Sequence, residues 1–103
     1  MRDLTIILES GTPQRMRVAF EMALVQRALG GQATLFVTGA AVAALESPHP
    51  ARDEALAAGV RIVVCQTALA DAGMSLETFD PRIEAGGFVS VMQRLGDERL
   101  VVI

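Results

Sequence analysis

Val60-Arg61-Ile62-Val63-Val64-Cys65 is the stretch on which the reading of this chain turns. Its first five residues are short, β-branched and largely apolar, which is the pattern of a strand buried in a parallel sheet. Cys65 is the sole cysteine of the chain and follows the run at once. Gln66-Thr67-Ala68-Leu69-Ala70-Asp71-Ala72 then reads as a helix stopped by Gly73. A strand that passes through one residue into a helix is half of a βαβ unit. It puts the thiol at the strand's carboxyl end, facing the unpaired N–H groups of a helix start. Such a setting favours a thiolate, the nucleophilic form of cysteine. The competing reading is a packed structural cysteine, since free cysteine is among the most buried residue types.

Outward from this unit, strands and helices alternate. Leu4-Thr5-Ile6-Ile7-Leu8 reads as a first buried strand, with a turn at Glu9-Ser10-Gly11. Thr12 is placed to cap a helix and Pro13 suits its first position. That helix is expected from Pro13 to Leu29, ended by Gly30-Gly31. It carries two apolar stripes: Met16, Phe20, Ala23 and Leu24 on one side, Val18, Met22, Val25 and Leu29 on the other. One sheet-facing stripe is enough for a small monomer, so the second points to a further packing surface. Ala33–Val37 is a second strand, leading through Thr38-Gly39 into a short helix from Ala40 to Leu45. Pro48 and Pro50 interrupt it, and Arg52–Ala58 reads as another helix closed by Gly59. Beyond Gly73, Met74–Phe79 suggests a helical turn and Arg82–Ala85 a short strand. Phe88–Leu95 is a helix ended by Gly96, and Arg99–Ile103 a last strand. Strands separated by helix-length segments predict a parallel sheet with right-handed crossovers and helices on both faces.

Composition narrows the function classes. A chain of 103 residues is one small domain, residues 1–103, with a single main core. A net charge of −3, with no lysine and no arginine cluster, argues against nucleic acid or an anionic membrane as the main partner. One cysteine makes no internal disulfide, which fits a reducing compartment, and no signal peptide or membrane span is visible. The expected location is the cytoplasm. No G-x-G-x-x-G follows the first strand and no P-loop occurs. Cys65-Gln66-Thr67-Ala68 is not a C-x-x-C dithiol, and the sixth residue after the cysteine is Asp71 rather than the arginine of an anion-wrapping loop. His49, the sole histidine, lies between two prolines, and a single histidine with a single cysteine is a poor metal site. The methionines read as core filler. No metal or cofactor is expected.

The chain resembles the DsrE/DsrF-like family of small sulfur-relay proteins. The resemblance runs nearly end to end. It rests on the opening strand with its small-residue turn, the helix with Ala19-Phe20-Glu21-Met22-Ala23-Leu24, and the strand Leu35-Phe36-Val37. The Gly39-to-Leu45 segment, the Gly59–Cys65 strand with Gly73 beyond it, and Ile83-Glu84-Ala85-Gly86-Gly87 before the closing helix and strand complete it. Strand, Cys65, then a helix ending at Gly73 is the most specific piece. What this resemblance implies is a three-layer α/β/α domain with a five-stranded parallel sheet, usually oligomeric. It also implies a cysteine that carries sulfur as a persulfide between protein partners.

In open parallel sheets, ligands bind beyond the carboxyl ends of the strands. The expected site is therefore Cys65 with Ser10, Gly11, Thr12, Thr38, Gly39, Gln66, Gly86 and Gly87 around one shallow pocket. The function expected is sulfur relay through Cys65, with donor and acceptor proteins as partners and a homo-oligomer, trimer or hexamer, as the assembly. The alternative is a non-catalytic oligomeric module that binds a small metabolite or a partner peptide at the strand ends, with Cys65 merely packed. A cysteine peroxidase is a weaker option, because it needs a base or an arginine beside the thiol.

Overall fold

Five strands form one all-parallel sheet in the order β4-β3-β2-β1-β5 in the computed structural model, which describes residues 1–103. They are Leu4–Leu8 (β1), Ala33–Val37 (β2), Arg61–Cys65 (β3), Glu84–Gly86 (β4) and Arg99–Val102 (β5). The helices are Pro13–Ala28 (α1), Ala41–Glu46 (α2), Pro50–Ala57 (α3), Gln66–Asp71 (α4) and Phe88–Leu95 (α5). Pairing is in register: Leu4 lies beside Ala33, Thr34 beside Arg61, and Cys65 beside Gly86.

The strand order dictates how the faces are covered. The connections from β1 to β2, β3 and β4 all step the same way across the sheet, so right-handed crossovers put them on one face. The return from β4 at one edge to β5 at the other runs the opposite way and falls on the second face. The molecule is thus a three-layer α/β/α domain, as expected, but with unequal layers. On the first face, Ile6, Leu8, Leu35, Val37, Ile62 and Val64 pack against Phe20 of α1, Val42 and Leu45 of α2, and Leu56 of α3. This core counts 21 buried residues, whereas the apolar cluster of the second face has only five: Ile7, Phe36, Val63, Cys65 and Val91. Phe88 adds an edge-on contact to Phe36, with ring centroids 4.8 Å apart. Leu100 and Val102 of β5 point to this thinly covered face and remain exposed.

The element pattern read from the sequence holds, and its boundaries shift for local reasons. The third helix begins at Pro50 rather than Arg52, because His49 Nδ1 accepts the Ala51 N–H at 3.0 Å and Pro50 takes the first helical position. The strand expected at Arg82–Ala85 starts only at Glu84. Asp80 holds the chain in a turn before it, accepting the Arg82 N–H at 2.9 Å while its backbone carbonyl accepts the Ile83 N–H. The Arg82 guanidinium, on the same carboxylate, holds Asp80 well below the usual carboxylate range. Met74–Phe79 reduces to a 3-10 turn at Leu76–Thr78. Thr12 occupies the helix-cap position of α1, yet its hydroxyl is engaged with Ser10 Oγ and caps nothing.

Arg52 is the buried charge of this fold, 6% exposed. Its Nη1 donates to the carbonyls of Leu45, Glu46 and Ser47 at 3.1–3.3 Å, closing the carboxyl end of α2. A methionine there would keep the volume but leave those carbonyls unpaired. Arg52→Met is expected to lower the unfolding free energy by about 2 kcal/mol in urea melts. A loss below ~0.5 kcal/mol would show that water satisfies the carbonyls equally well.

Candidate functional site

Cys65 is the last residue of β3 and the residue that opens α4. Strand alternation points its side chain to the second face, beside Phe36, Val63 and Val91. It is 4% exposed and forms no hydrogen bond with the N–H groups of the α4 first turn. The contact expected from the strand-to-helix junction is therefore not made, because the sulfur follows the pleat of the sheet rather than the helix axis. What the thiol does line is an open cavity of about 700 Å³ at the carboxyl ends of β2, β3 and β4. Thr38 and Gly39 form one wall and Thr67, Ala68 and Asp71 of α4 another; Gly87, Phe88 and Val89 close the third side. Asp71 is the one charged residue among them.

The structure brings Cys65, Thr38, Gly39 and Gly87 of the expected set into this cavity, and leaves the other members outside it. Ser10, Gly11 and Thr12 lead from β1 into α1, which covers the first face, so their turn heads away from the thiol. A Cβ on Gly11 would lie 2.7 Å from the Ala40 carbonyl oxygen, so this turn is pressed against the one after β2. Gln66 is exposed on α4 and does not line the cavity. Gly86 pairs with Cys65 but sits behind Gly87, and a Cβ there would come within 2.9 Å of Val63 Cγ1. His49 is far from any role at the thiol: its ring stacks on Phe20, in the core of the opposite face. The walls supplied by α4 and by Phe88 and Val89 were not foreseen. Their signal was present in the apolar pair that follows Gly86-Gly87, at the start of a helix with only one sheet face left to cover.

A family model described as the DsrE/DsrF-like family matches residues 2–102. The chain belongs to this family. A search of the curated proteins finds no match. Among solved structures, the ychN protein of E. coli superposes with a TM-score of 0.82 at 18% identity, each chain covered in full. A protein of unknown function from Methanobacterium thermoautotrophicum gives 0.87 at 13% identity, again over 100% of both chains. One from Bacteroides thetaiotaomicron gives 0.75 at 20% identity, covering 98% of this chain and 95% of that one. At such identities the likeness speaks for the shared DsrE-like fold.

Gly87 is held at the thiol cavity by β4, a three-residue edge strand clamped at its first position. Arg61 of β3 donates to both carboxylate oxygens of Glu84, at 2.7 and 2.9 Å. This fork holds the Glu84 carboxyl below the usual range, the hydrogen bond from Arg61 being the main cause. Since the folded value is depressed, the pair's contribution is complete above the ordinary glutamate range and is lost as pH falls through the lowered value. Both side chains are part-exposed, at 36% and 48%, so the contribution is at most about 1 kcal/mol. Glu84→Gln is expected to be less stable than the wild type at neutral pH, the gap closing in acid. Urea melts at both conditions check this, and a gap independent of pH would remove the ion pair as its source.

Proposed function

We propose that this DsrE/DsrF-like protein is a sulfur carrier that holds a persulfide on Cys65. The observation that carries the reading is the placement of the sole cysteine at the end of β3, lining an open cavity at the strand carboxyl ends. In the first half of the exchange, the Cys65 thiolate attacks the outer sulfur of a donor protein's persulfide. The S–S bond of the donor breaks, its thiolate leaves, and Cys65 carries the transferred sulfur. In the second half, an acceptor thiolate attacks that outer sulfur and the Cys65 thiolate leaves. No electron is gained or lost overall, and each step is thiol exchange through a covalent intermediate. Thr38, Gly39 and Gly87 leave room for the incoming sulfur, while Phe88 and Val89 offer an apolar rim to the partner.

The partners in this reading are the donor and acceptor proteins, met in the cytoplasm; no helix of the protein is long and apolar enough to cross a membrane. Self-association into a trimer or a dimer of trimers belongs to the same proposal. Val18 and Val25 of α1 and Leu29 just after it are exposed, as are Val89 and Met92 of α5 and Val102 of β5. Apolar surface of that extent on so small a chain favours a covering partner. Sedimentation of the purified protein at micromolar concentration is expected to give an oligomer, and a monomer alone would contradict it.

The burial of Cys65 favours one second reading, a binding module whose thiol is only packed. One experiment separates the two. After incubation with a sulfur-loaded cysteine desulfurase, intact mass spectrometry is expected to show one added sulfur that reductant removes and that Cys65→Ser lacks. Alkylation by iodoacetamide reports in parallel whether the thiol is reachable. An alkylated protein that never takes up sulfur would end the carrier reading, and a thiol inert to both reagents would support the binding module.

A further inference from the structure

On the second sheet face the register row Thr5, Thr34, Arg61 is polar across three adjacent strands. Two residues further along each strand the same face carries Ile7, Phe36 and Val63, the ordinary content of a covered parallel sheet. Above the polar row, Ser90 and Arg94 project from one edge of α5, one turn apart. Together they bound a cleft of about 340 Å³ at the amino ends of the strands, at the lower end of the range for small-molecule sites. Only three of its 13 lining residues are hydrophobic, so it does not suit an apolar occupant.

The charges in the cleft define what fits. Asp3 and Glu98 oppose Arg61 and Arg94, so the lining is neutral overall. Two of the four are committed within the protein: Arg61 to Glu84, and Glu98 to the buried Thr5 hydroxyl, which donates to it at 3.1 Å. The side chains of Arg94 and Asp3 have no ion-pair partner in the protein. A free guanidinium and a free carboxylate on the lining of one polar cleft, which also carries the Ser90 and Thr34 hydroxyls, suit a ligand with both charges. A polyanion would meet Asp3 and Glu98, and a polycation would meet the two arginines.

We propose that this cleft binds a small zwitterion of the α-amino-acid class, its carboxylate on Arg94 and its ammonium on Asp3. The site is separate from the thiol cavity. α5 divides them, turning Phe88 and Val89 to the cysteine and Ser90 and Arg94 to the cleft, with Gly87 in both walls. The proposal therefore stands whether or not Cys65 carries sulfur.

The test titrates the standard α-amino acids other than cysteine, one at a time, into the full-length protein by calorimetry. At least one is expected to bind saturably. Its N-acetyl and its carboxamide derivatives should each bind roughly tenfold to a hundredfold more weakly, the loss of one charge-assisted hydrogen bond. Arg94→Gln and Asp3→Asn, both at exposed positions, should weaken the free amino acid by similar factors while leaving circular dichroism and thermal unfolding unchanged. Cys65→Ser should bind as the wild type does. No saturable binding by any of the amino acids overturns the proposal. So does affinity indifferent to the blocking groups, or binding that is lost with Cys65 and kept without Arg94.

Discussion

The handedness of one crossover organises this protein. With the sheet ordered β4-β3-β2-β1-β5, the first three connections claim one face and the return from β4 to β5 must take the other. That return contains a single helix of eight residues to cover the inner strands. A helix of this length has little stability of its own and depends on what it packs against. Its anchors are Val91, buried against Val63 and Phe36, and the edge-on contact of Phe88 with Phe36. Everything unusual about the second face follows from that shortage of cover. The thiol cavity opens at one end of α5, the polar cleft lies along its other part, and the β5 side chains remain in solvent.

The first face shows what full cover looks like. Phe20, Leu8, Leu35, Val37, Ile62 and Val64 have no measurable exposure there. Polar groups trapped at its margins are all paired: Arg52 on the end of α2, and Gln26 between the Arg2 and Gln32 carbonyls. No buried side-chain nitrogen or oxygen lacks a hydrogen-bond partner. Rigidity therefore resides on the face away from the cysteine. The residues around Cys65 hang from this frame through the strand ends, which places the candidate chemistry on the more weakly held side of the molecule.

Much of the fold was legible because apolar runs, prolines and glycines punctuate the chain so regularly. Gly73 illustrates the reliable part: it takes a φ of +66°, and the Met74 N–H closes the end of α4 on the Leu69 carbonyl. The site was less legible, and Arg61 shows why. It lies inside the largely apolar run Val60–Val64, although two-residue alternation puts it on the same face as Val63 and Cys65. Thr5 and Thr34 carry the same message in β1 and β2. Only the register across three strands turns three scattered residues into one polar row. Ser10, Gly11 and Thr12 failed to reach the thiol for the converse reason. Their proximity to a strand end was visible in sequence, but the face on which the next helix lies was not.

Burial of the thiol shapes any chemistry it performs. At 4% exposure, Cys65 can meet another sulfur only through the cavity bounded by α4 and the start of α5. The cavity holds no histidine, lysine or arginine, and its lone ionisable neighbour is Asp71. A reaction that needs a positioned base is poorly served by such walls, since His49 is held against Phe20 on the other face. Thiol exchange makes a smaller demand. It requires an attacking sulfur, a leaving sulfur and a path between them, with the rate set by their relative basicities. In the proposed carrier, specificity would come from which partner can insert its own sulfur past Phe88 and Val89.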